Sequence, residues 1–168
     1  MTKDLNKEIQ EIKYNHLNLP TEVLFESGDK IEWLYAADGS KLRKTVIDNG
    51  TVSEIKDYIG GFIYQKVGAQ SKKLEFYSTA EGRVRNNSGT YKYEYDIKDH
   101  LGNARVSFSD DGGAALKEQT NDYYPFGLTF NKYVLSNENK FTYNGKEWED
   151  DFDLNWYHYG ARYYRSEA

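Results

Sequence analysis

The densest group of residues that could do chemistry is an acidic run near the C-terminal end: Glu147, Glu149, Asp150, Asp151 and Asp153. Two carboxylates that share a proton in a dry site can act as an aspartyl catalytic pair. This run is polar throughout and follows an Asn144-Gly145 turn signal, so we interpret it as a solvated loop. Counted from Asp151, it also lacks the glycine and the glutamate of an EF-hand calcium loop.

Three histidines are the other candidates for acid–base or metal chemistry: His16, His100 and His158. No two of them have the i, i+4 spacing of a helical zinc site. His100 follows Asp99, and a histidine beside a carboxylate can act as a general base. Asp99 and the nearby Gly102 have ordinary backbone roles in turns, and we favour that structural interpretation.

Other classes of function find little support in the composition. The chain has no Cys, which excludes disulfides, thiolate metal sites and Cys nucleophiles. No Gly-x-Ser-x-Gly elbow or glycine-rich phosphate loop occurs. The net charge of −5 and the pI near 5.3 argue against nucleic-acid binding, and no apolar run is long enough to span a membrane. We therefore expect no catalytic residue, no cofactor and no metal.

Aromatic residues crowd the C-terminal end: Trp148, Trp156, Tyr157, Tyr159, Tyr163 and Tyr164. Such rings stack on sugars, but they also pair across the strands of a sheet. We favour packing and keep an adhesion or carbohydrate-binding module as the alternative. Strand alternation predicts that Trp156 and Tyr157 lie on opposite faces, both of them covered.

Short β-prone runs separated by turn signals must position these residues. Asn49-Gly50 is typical of a two-residue type I′ hairpin, which would pair Ile47 with Val52 and Thr45 with Glu54. The segment 91–95 alternates tyrosine with charged residues, which indicates a strand with one covered and one wet face. Aromatic residues make up 16% of the 168 residues, a content typical of a folded chain.

Five tyrosines recur at intervals of 18 to 23 residues: Tyr14, Tyr35, Tyr58, Tyr77 and Tyr95. Three of them precede, by four or five residues, a residue that tolerates the left-handed backbone conformation: Asn18, Gly39 and Gly82. The spacing predicts a repeat of one hairpin per unit. Such a unit is too small to bury its own face, so successive units must join sideways into a continuous sheet.

Four segments in the second half carry a family resemblance: 95–106, 123–128, 143–147 and 154–164. They read YDIKDHLGNARV, YYPFGL, YNGKE and LNWYHYGARYY. In this order they resemble the core of Rhs proteins, the YD-repeat family, in its Bacteroidetes-type form. Upstream, the segments 14–20, 35–42 and 58–64 resemble degenerate YD units.

The resemblance implies a structural role. In the family, YD hairpins wind into a shell that encloses a C-terminal toxin during export, and the core seals the end of that shell. Many members cut themselves with aspartates in Asp-Pro motifs that follow the Arg-Tyr-Tyr element. Here Tyr164 is followed by residues 165–168, which contain no Asp-Pro, so this sequence resembles a core truncated before the self-cleavage motif.

We therefore predict an all-β fold of antiparallel YD-type hairpins in a curved sheet over residues 8–109, with a less regular cap over 110–164. By sequence the chain divides into degenerate YD hairpins (1–90), the Rhs-associated core (91–164) and a non-matching tail (165–168). The expected function is a non-catalytic part of a toxin-enclosing shell. A remnant of an aspartyl self-cleaving core is the second alternative.

The implied partners are the rest of the shell and a toxin polypeptide, with a glycan as the alternative ligand and no nucleic acid. Unpaired sheet edges predict self-association of an isolated fragment. The sequence shows no signal peptide, so cytoplasm is the default location of the fragment, whereas intact relatives are secreted or at the cell surface.

The resemblance also implies which residues have structural roles: Tyr95, Asp99, His100, Gly102, Arg105, Tyr124, Pro125, Phe126, Gly127, Tyr143, Asn144, Gly145, Glu147, Trp156, Tyr157, Arg162, Tyr163 and Tyr164.

Overall fold

The computed structural model describes residues 1–136 and 138–166. Glu167 and Ala168, the end of the expected tail, lie outside the described residues. The chain forms two compact units. The first comprises residues 1–75, 150–154 and 160–162, and the second comprises 76–149, 155–159 and the residues from 163 onward.

The described residues contain β-strands and single 3₁₀ turns, which confirms the all-β prediction. The strands are β1 Ile9–Tyr14, β2 Pro20–Phe25, β3 Lys30–Tyr35, β4 Lys41–Asp48, β5 Thr51–Ile59, β6 Phe62–Val67, β7 Lys73–Thr79, β8 Gly82–Asn87, β9 Thr90–Lys98, β10 Ala104–Asp111, β11 Ala114–Tyr123, β12 Thr129–Val134, β13 Glu147–Glu149, β14 Trp156–His158 and β15 Tyr163–Arg165. The 3₁₀ turns are Leu5–Lys7, Pro125–Gly127, Tyr143–Gly145 and Asp151–Asp153. None of these helical turns is long enough to cross a bilayer.

Strands β1 to β12 follow one another in a single antiparallel sheet, and β13 to β15 form a small separate sheet. The large sheet therefore continues past residue 109, where the sequence predicted a less regular cap. The reason is local: Gly112 and Gly113 both have positive φ and close a hairpin, so β11 turns back onto β10.

The tyrosine repeat corresponds to hairpins. Tyr14, Tyr35, Tyr58, Tyr77 and Tyr95 lie on β1, β3, β5, β7 and β9, so one tyrosine of this series occurs for every two strands. This alternation confirms the prediction of one hairpin per unit. Neighbouring units pair side by side because a single hairpin leaves its edges unpaired.

A five-residue turn of constant geometry closes several of these hairpins. Its first N–H donates to the carbonyl of the fifth residue, and its fourth N–H donates back to the first carbonyl. The turn occurs at residues 15–19, 25–29, 36–40, 99–103 and 124–128, with distances of 2.8–3.1 Å. Its fourth residue is Asn18, Gly28, Gly39, Gly102 or Gly127, each with φ between 59° and 91°. Left-handed backbone at this position favours Gly and Asn.

Gly82 does not follow this rule, although the sequence grouped it with Asn18 and Gly39. It lies at the start of β8 and is not among the residues with positive φ. A Cβ there would approach the carbonyl oxygen of Glu94 to 2.1 Å. Glycine is therefore required by the close approach of β9.

The Asn49-Gly50 hairpin forms as predicted at its tip, where Ile47 pairs with Val52. A register shift between Val46 and Ile47 then places Thr45 opposite Ile55 and not opposite Glu54. Bulges of this kind insert one residue into one strand and displace every later pair by one.

One face of strands β1 to β4 contributes buried apolar side chains to the hydrophobic core of the first unit. Ile9, Val23 and Ile31 are fully buried there. The 3₁₀ turn at 151–153 belongs to this unit, and the Phe152 ring lies 5.3 Å from the Phe25 ring.

The sheet in the second unit reverses the usual distribution of polarity. On β9, Tyr91, Tyr93 and Tyr95 are exposed, whereas Glu94 is only 3% exposed. The alternation thus indicates a strand with one covered face, as predicted, and the covered face is the charged one. We call it the polar face; its buried side chains include Arg83, Arg85, Glu94, Ser107, Ser109, Glu118, Gln119 and Asn121.

The charges of the polar face neutralise one another. The two oxygens of Glu94 accept from Nε of Arg83 and from Nε of Arg85, both at 2.5 Å. Lys92 and Ser109 each donate to Oε1 of Glu118 at 2.7 Å. Burying unpaired charge is costly, so these pairs make the polar interior possible.

Residues 138–140 cross the polar face. The amide side chain of Gln119 accepts from the N–H of Asn139 at 2.7 Å and donates to the carbonyl of Asn139 at 3.2 Å. Arg83 donates to the carbonyl of Glu138 at 3.4 Å. The covering segment is therefore held by hydrogen bonds, since the face beneath it is polar.

We predict that Glu94→Ala lowers the free energy of unfolding by about 3–5 kcal/mol, because two buried guanidinium groups lose their shared carboxylate. Urea denaturation measures this loss. Lys13→Ala is the control: it removes an exposed ion pair with Glu22 and should change stability little. Equal effects of the two substitutions would contradict the role of Glu94 in neutralising the buried arginines.

Candidate functional site at the junction of four motifs

Residues of the four motifs meet in the second compact unit, around the dipeptide Asn103–Ala104. Asn103 is 4% exposed and Ala104 is fully buried. We call this cluster the motif junction; it comprises Asp99, Asn103, Ala104, Arg105, Asn121, Tyr123, Gly127, Thr142, Tyr143, Asn144, Tyr157 and Tyr159.

Asp99 organises the first motif as a turn. Its Oδ1 accepts the backbone N–H groups of Leu101 and Asn103 at 3.0 and 3.1 Å, and its Oδ2 lies 3.2 Å from Nε of Arg105. Partial burial raises the pKa of Asp99, but the bonds from Asn103 and Leu101 and the charge of Arg105 outweigh it. The pKa therefore lies below its usual value, and Asp99 serves as an ionised cap of the turn.

Asn103 links the first motif to the third. Its Nδ2 donates to Oδ2 of Asp99 at 2.8 Å, and its Oδ1 accepts the backbone N–H of Asn144 at 2.8 Å. Asn144 has φ +50°, a conformation that Asn tolerates, and donates from Nδ2 to the Tyr159 hydroxyl at 2.8 Å. One chain of hydrogen bonds thus runs through three motifs.

Ala104 is joined through its backbone. Its N–H donates to the carbonyl of Thr142 at 3.0 Å, and its carbonyl accepts from Asn121 Nδ2 at 3.1 Å and from the Tyr123 hydroxyl at 2.9 Å. Burial raises the pKa of Tyr123, which keeps its hydroxyl protonated as a donor. A small side chain at 104 lets these groups approach.

Aromatic rings pack around Gly127 of the second motif. The Tyr143 ring lies 5.7 Å from the Tyr123 ring and 5.6 Å from the Tyr157 ring. A Cβ at Gly127 would meet Tyr143 at 2.5 Å, and Gly127 has φ +90°. Both the space and the backbone conformation therefore require glycine.

The turn Pro125–Gly127 exposes one aromatic ring. Phe126 is 75% exposed and has φ +73°, an outlier for a bulky residue. The hydroxyl of Tyr164 donates to its carbonyl at 2.8 Å and holds it there. Tyr124 is also exposed, and its ring lies 4.5 Å from that of Phe130.

The small sheet supports the junction. In it Trp148 pairs with Tyr157, and Tyr157 pairs with Tyr164. Trp156 and Tyr157 are both buried, which confirms that both faces of this strand are covered. Neither ring offers an open face for stacking on a sugar.

The other residues that the resemblance implied have various surroundings. His100 and Arg162 are exposed. Tyr95 stacks on Phe108 with ring centroids 5.6 Å apart. Gly102 and Gly145 supply positive φ, Pro125 begins its 3₁₀ turn, and Tyr163 lies 5.8 Å from Trp156.

The acidic run is not the solvated loop that the sequence predicted. Glu147 and Glu149 alternate on β13 and are buried, and Asp151 Oδ2 accepts from Nζ of buried Lys44 at 2.6 Å. Asp153 is exposed, as expected. Among residues 1–136 and 138–166 no three His, Asp or Glu side chains come together as metal ligands.

Six members of the junction are absent from the structural residues that the resemblance implied: Asn103, Ala104, Asn121, Tyr123, Thr142 and Tyr159. The first two stand inside a quoted motif, directly after a turn glycine. Nothing in the sequence indicates that Asn121 and Thr142 contact them, because those contacts arise only from the pairing of β10 with β11 and from the path of the chain after β12.

A further, partly buried acid, Asp96, lies on the polar face. Ser107 donates to its Oδ1 at 2.5 Å, and Asn139 Nδ2 lies 3.4 Å from its Oδ2. Burial raises the pKa of Asp96 above its usual value, and the Ser107 bond, Lys98 and Arg83 offset this only in part.

We predict that Gly127→Ala destabilises the fold more than Gly145→Ala. Both glycines have positive φ, which costs a non-glycine residue roughly 1–2 kcal/mol. Only Gly127 adds a clash with a packed ring, worth roughly another 1–3 kcal/mol. Thermal unfolding of both variants measures the difference. Equal losses would mean that Tyr143 moves freely.

We predict opposite pH dependence for two carboxamide substitutions. The pKa of Asp96 is raised on folding, so its destabilising charge develops as pH rises above about 4. The free energy of unfolding of Asp96→Asn, relative to that of wild type, should therefore increase as pH rises from about 4 to 7.

Asp29→Asn is the control of opposite sign. A bond from the Asn49 N–H, with one from Ser27, lowers the pKa of Asp29, so this carboxylate stabilises the fold above about pH 4 and its loss should destabilise the protein there. Urea titrations across this range measure both. A stability difference for Asp96→Asn that does not change with pH contradicts the prediction.

Comparison with known proteins identifies the fold. No protein-family model and no curated protein matches the chain. It aligns over 93% of its length with a crystal structure of TcdB2–TccC3, with TM-score 0.72 and 17% identity. It also aligns over 93% of its length with a Photorhabdus luminescens Tc holotoxin pore that carries mutant TccC3, with TM-score 0.73 and 17% identity. Its alignment with TcdB2–TccC3 without the hypervariable C-terminal region covers 93% of the chain, with TM-score 0.72 and 16% identity. This chain spans 8% of each matched chain, and the likeness establishes a shared fold.

Proposed function

We propose that this chain is a structural, non-catalytic part of a toxin-enclosing shell of the Rhs type. The observation that carries the proposal is the sheet of consecutive antiparallel hairpins, which aligns over 93% of the chain with structures of Tc toxin complexes. Four sequence motifs that resemble the Rhs core support it independently, since residues of all four join in one cluster.

The chemistry of the motif junction also supports a structural role. The carboxylate of Asp99 is engaged by turn N–H groups and by Arg105, and the Asn103 side chain is engaged at both ends. Polar groups with these partners hold strands and turns in register. His100, the candidate general base, is exposed beside this turn.

The proposed partners are the remainder of a shell and an enclosed toxin polypeptide. The matched chains are about twelve times longer than the aligned part, since that part is 8% of their length. Within such a shell, the sheet would extend the wall and the junction would fix its closing end. The location of the chain would then be that of the shell, secreted or at the cell surface.

Immunoprecipitation from the source cells tests this proposal. An antibody against the folded chain should recover a shell-sized polypeptide, or a complex, whose peptides include further tyrosine-rich hairpin repeats. Recovery of the 19.6 kDa chain without any such repeat would contradict the shell function.

The non-catalytic part has its own readout in the same material. The intact mass of the chain should stay constant on prolonged incubation. The Asp99→Asn and His100→Ala variants should show the same absence of cleavage. A cleavage product that these substitutions abolish would establish the aspartyl alternative.

A further inference from the structure

Strand β12 is an open edge of the large sheet. It lies last in the strand order, and β11 is its only neighbour among the described strands. In the other compact unit, edge strand β1 is covered by the chain itself, since Ile12 donates to the carbonyl of Thr2 at 3.0 Å and Asp4 bridges to Ile9. An edge strand without such cover is a template for another strand.

The hydrogen-bond pattern shows which backbone groups of β12 are available. Leu135 N–H donates to the carbonyl of Glu118 at 2.8 Å, so this is a hydrogen-bonded pair. In an antiparallel ladder such pairs alternate with pairs that do not bond. Lys132 pairs with Asn121 in the register, three residues before Leu135. Its N–H and C=O, like those of Val134, therefore point away from β11.

Little on β12 protects this edge. The strand contains no proline, and its lysine is already paired, because Lys132 Nζ lies 2.7 Å from Glu138. Proline, unpaired lysine and bulges are the usual devices that keep edges apart. A bulge does occur on β12 at Phe130, where the register shifts, but the ladder is regular from Asn131 to Val134. Phe130 at one end and Leu135 just past the other are 55% and 47% exposed.

We propose that β12 pairs antiparallel with β12 of a second copy of this chain. A strand edge is self-complementary, since each outward residue offers one donor and one acceptor, and a two-fold axis joins identical patches. Antiparallel pairing places the Phe130 end of one copy beside the Leu135 end of the other. The exposed rings of Tyr124 and Tyr133 adjoin these ends.

The area decides how strong this dimer is. If each large side chain has a surface of about 200 Å², the exposed parts of Phe130, Leu135, Tyr124 and Tyr133 amount to about 350–400 Å² per copy. Together with the backbone edge, the two copies reach roughly the 1,200 Å² lower limit of specific interfaces, which corresponds to a weak dimer. The pairing uses the one open edge that each copy presents among the described strands, so association stops at two copies. It is a property of this chain and does not depend on the shell function.

Sedimentation equilibrium of the full chain tests the proposal. We expect a monomer–dimer equilibrium with a dissociation constant on the order of 10–100 μM. Lys132→Pro removes an N–H that points outward, which an edge strand tolerates, and should weaken the dimer at least about tenfold. Lys132→Thr, which keeps the N–H, should leave the constant within about threefold.

Phe130→Asp is the second variant, in case the proline disturbs the strand. It changes an exposed ring and should also weaken the dimer at least about tenfold, because two charges then enter the interface. A chain that stays monomeric at about 500 μM overturns the proposal. So does a dimer that both variants leave intact, or growth beyond two copies.

Discussion

Tight turns that contain left-handed residues are the constraint on which the rest of the structure depends. Some are the five-residue turn with its left-handed fourth residue, and others are two-residue turns such as Asn49-Gly50 and Gly112-Gly113. Each turn reverses the chain over a few residues, so successive strands pair, and the twelve strands lie in the sheet in sequence order. The turns need little side-chain burial, which is why a chain with few aliphatic residues can still form an extended sheet.

Such a sheet must cover polar groups with polar groups. On the polar face the buried cations Arg83 and Arg85 share Glu94, and Glu118 accepts from Lys92 and Ser109. Gln119 pairs with the backbone of the covering segment almost as another strand would. Each of these bonds has a buried partner, so the loss of one leaves the other unsatisfied and expensive.

The motif junction applies the same rule at the end of the sheet. There Asn103 and Ala104 bond to backbone and side chains that lie far away in the sequence, at residues 121, 142 and 144. Glycine at 127 lets the Tyr143 ring pack closely against the backbone. A cluster built in this way fixes the geometry of the strands and turns that it joins.

Local periodicity determined the hairpins. The tyrosine spacing, the turn residues Asn18, Gly39 and Gly102, and the tip of the Asn49-Gly50 hairpin were all predictable, because they depend on φ preference and on strand alternation. The sequence also contained the motifs, but it did not show that Asn121 and Thr142 complete their cluster.

Only the tertiary structure decided which face of a strand is covered. The alternation of residues 91–95 is equally compatible with a buried tyrosine face and a buried charged face, and the position of the arginines on β8 selected the second. In the same way Glu147 and Glu149 are buried where β13 pairs with β14, and Asp151 is paired with the buried Lys44. Register shifts and long-range ion pairs depend on contacts between distant segments, and no local pattern in the chain encodes them.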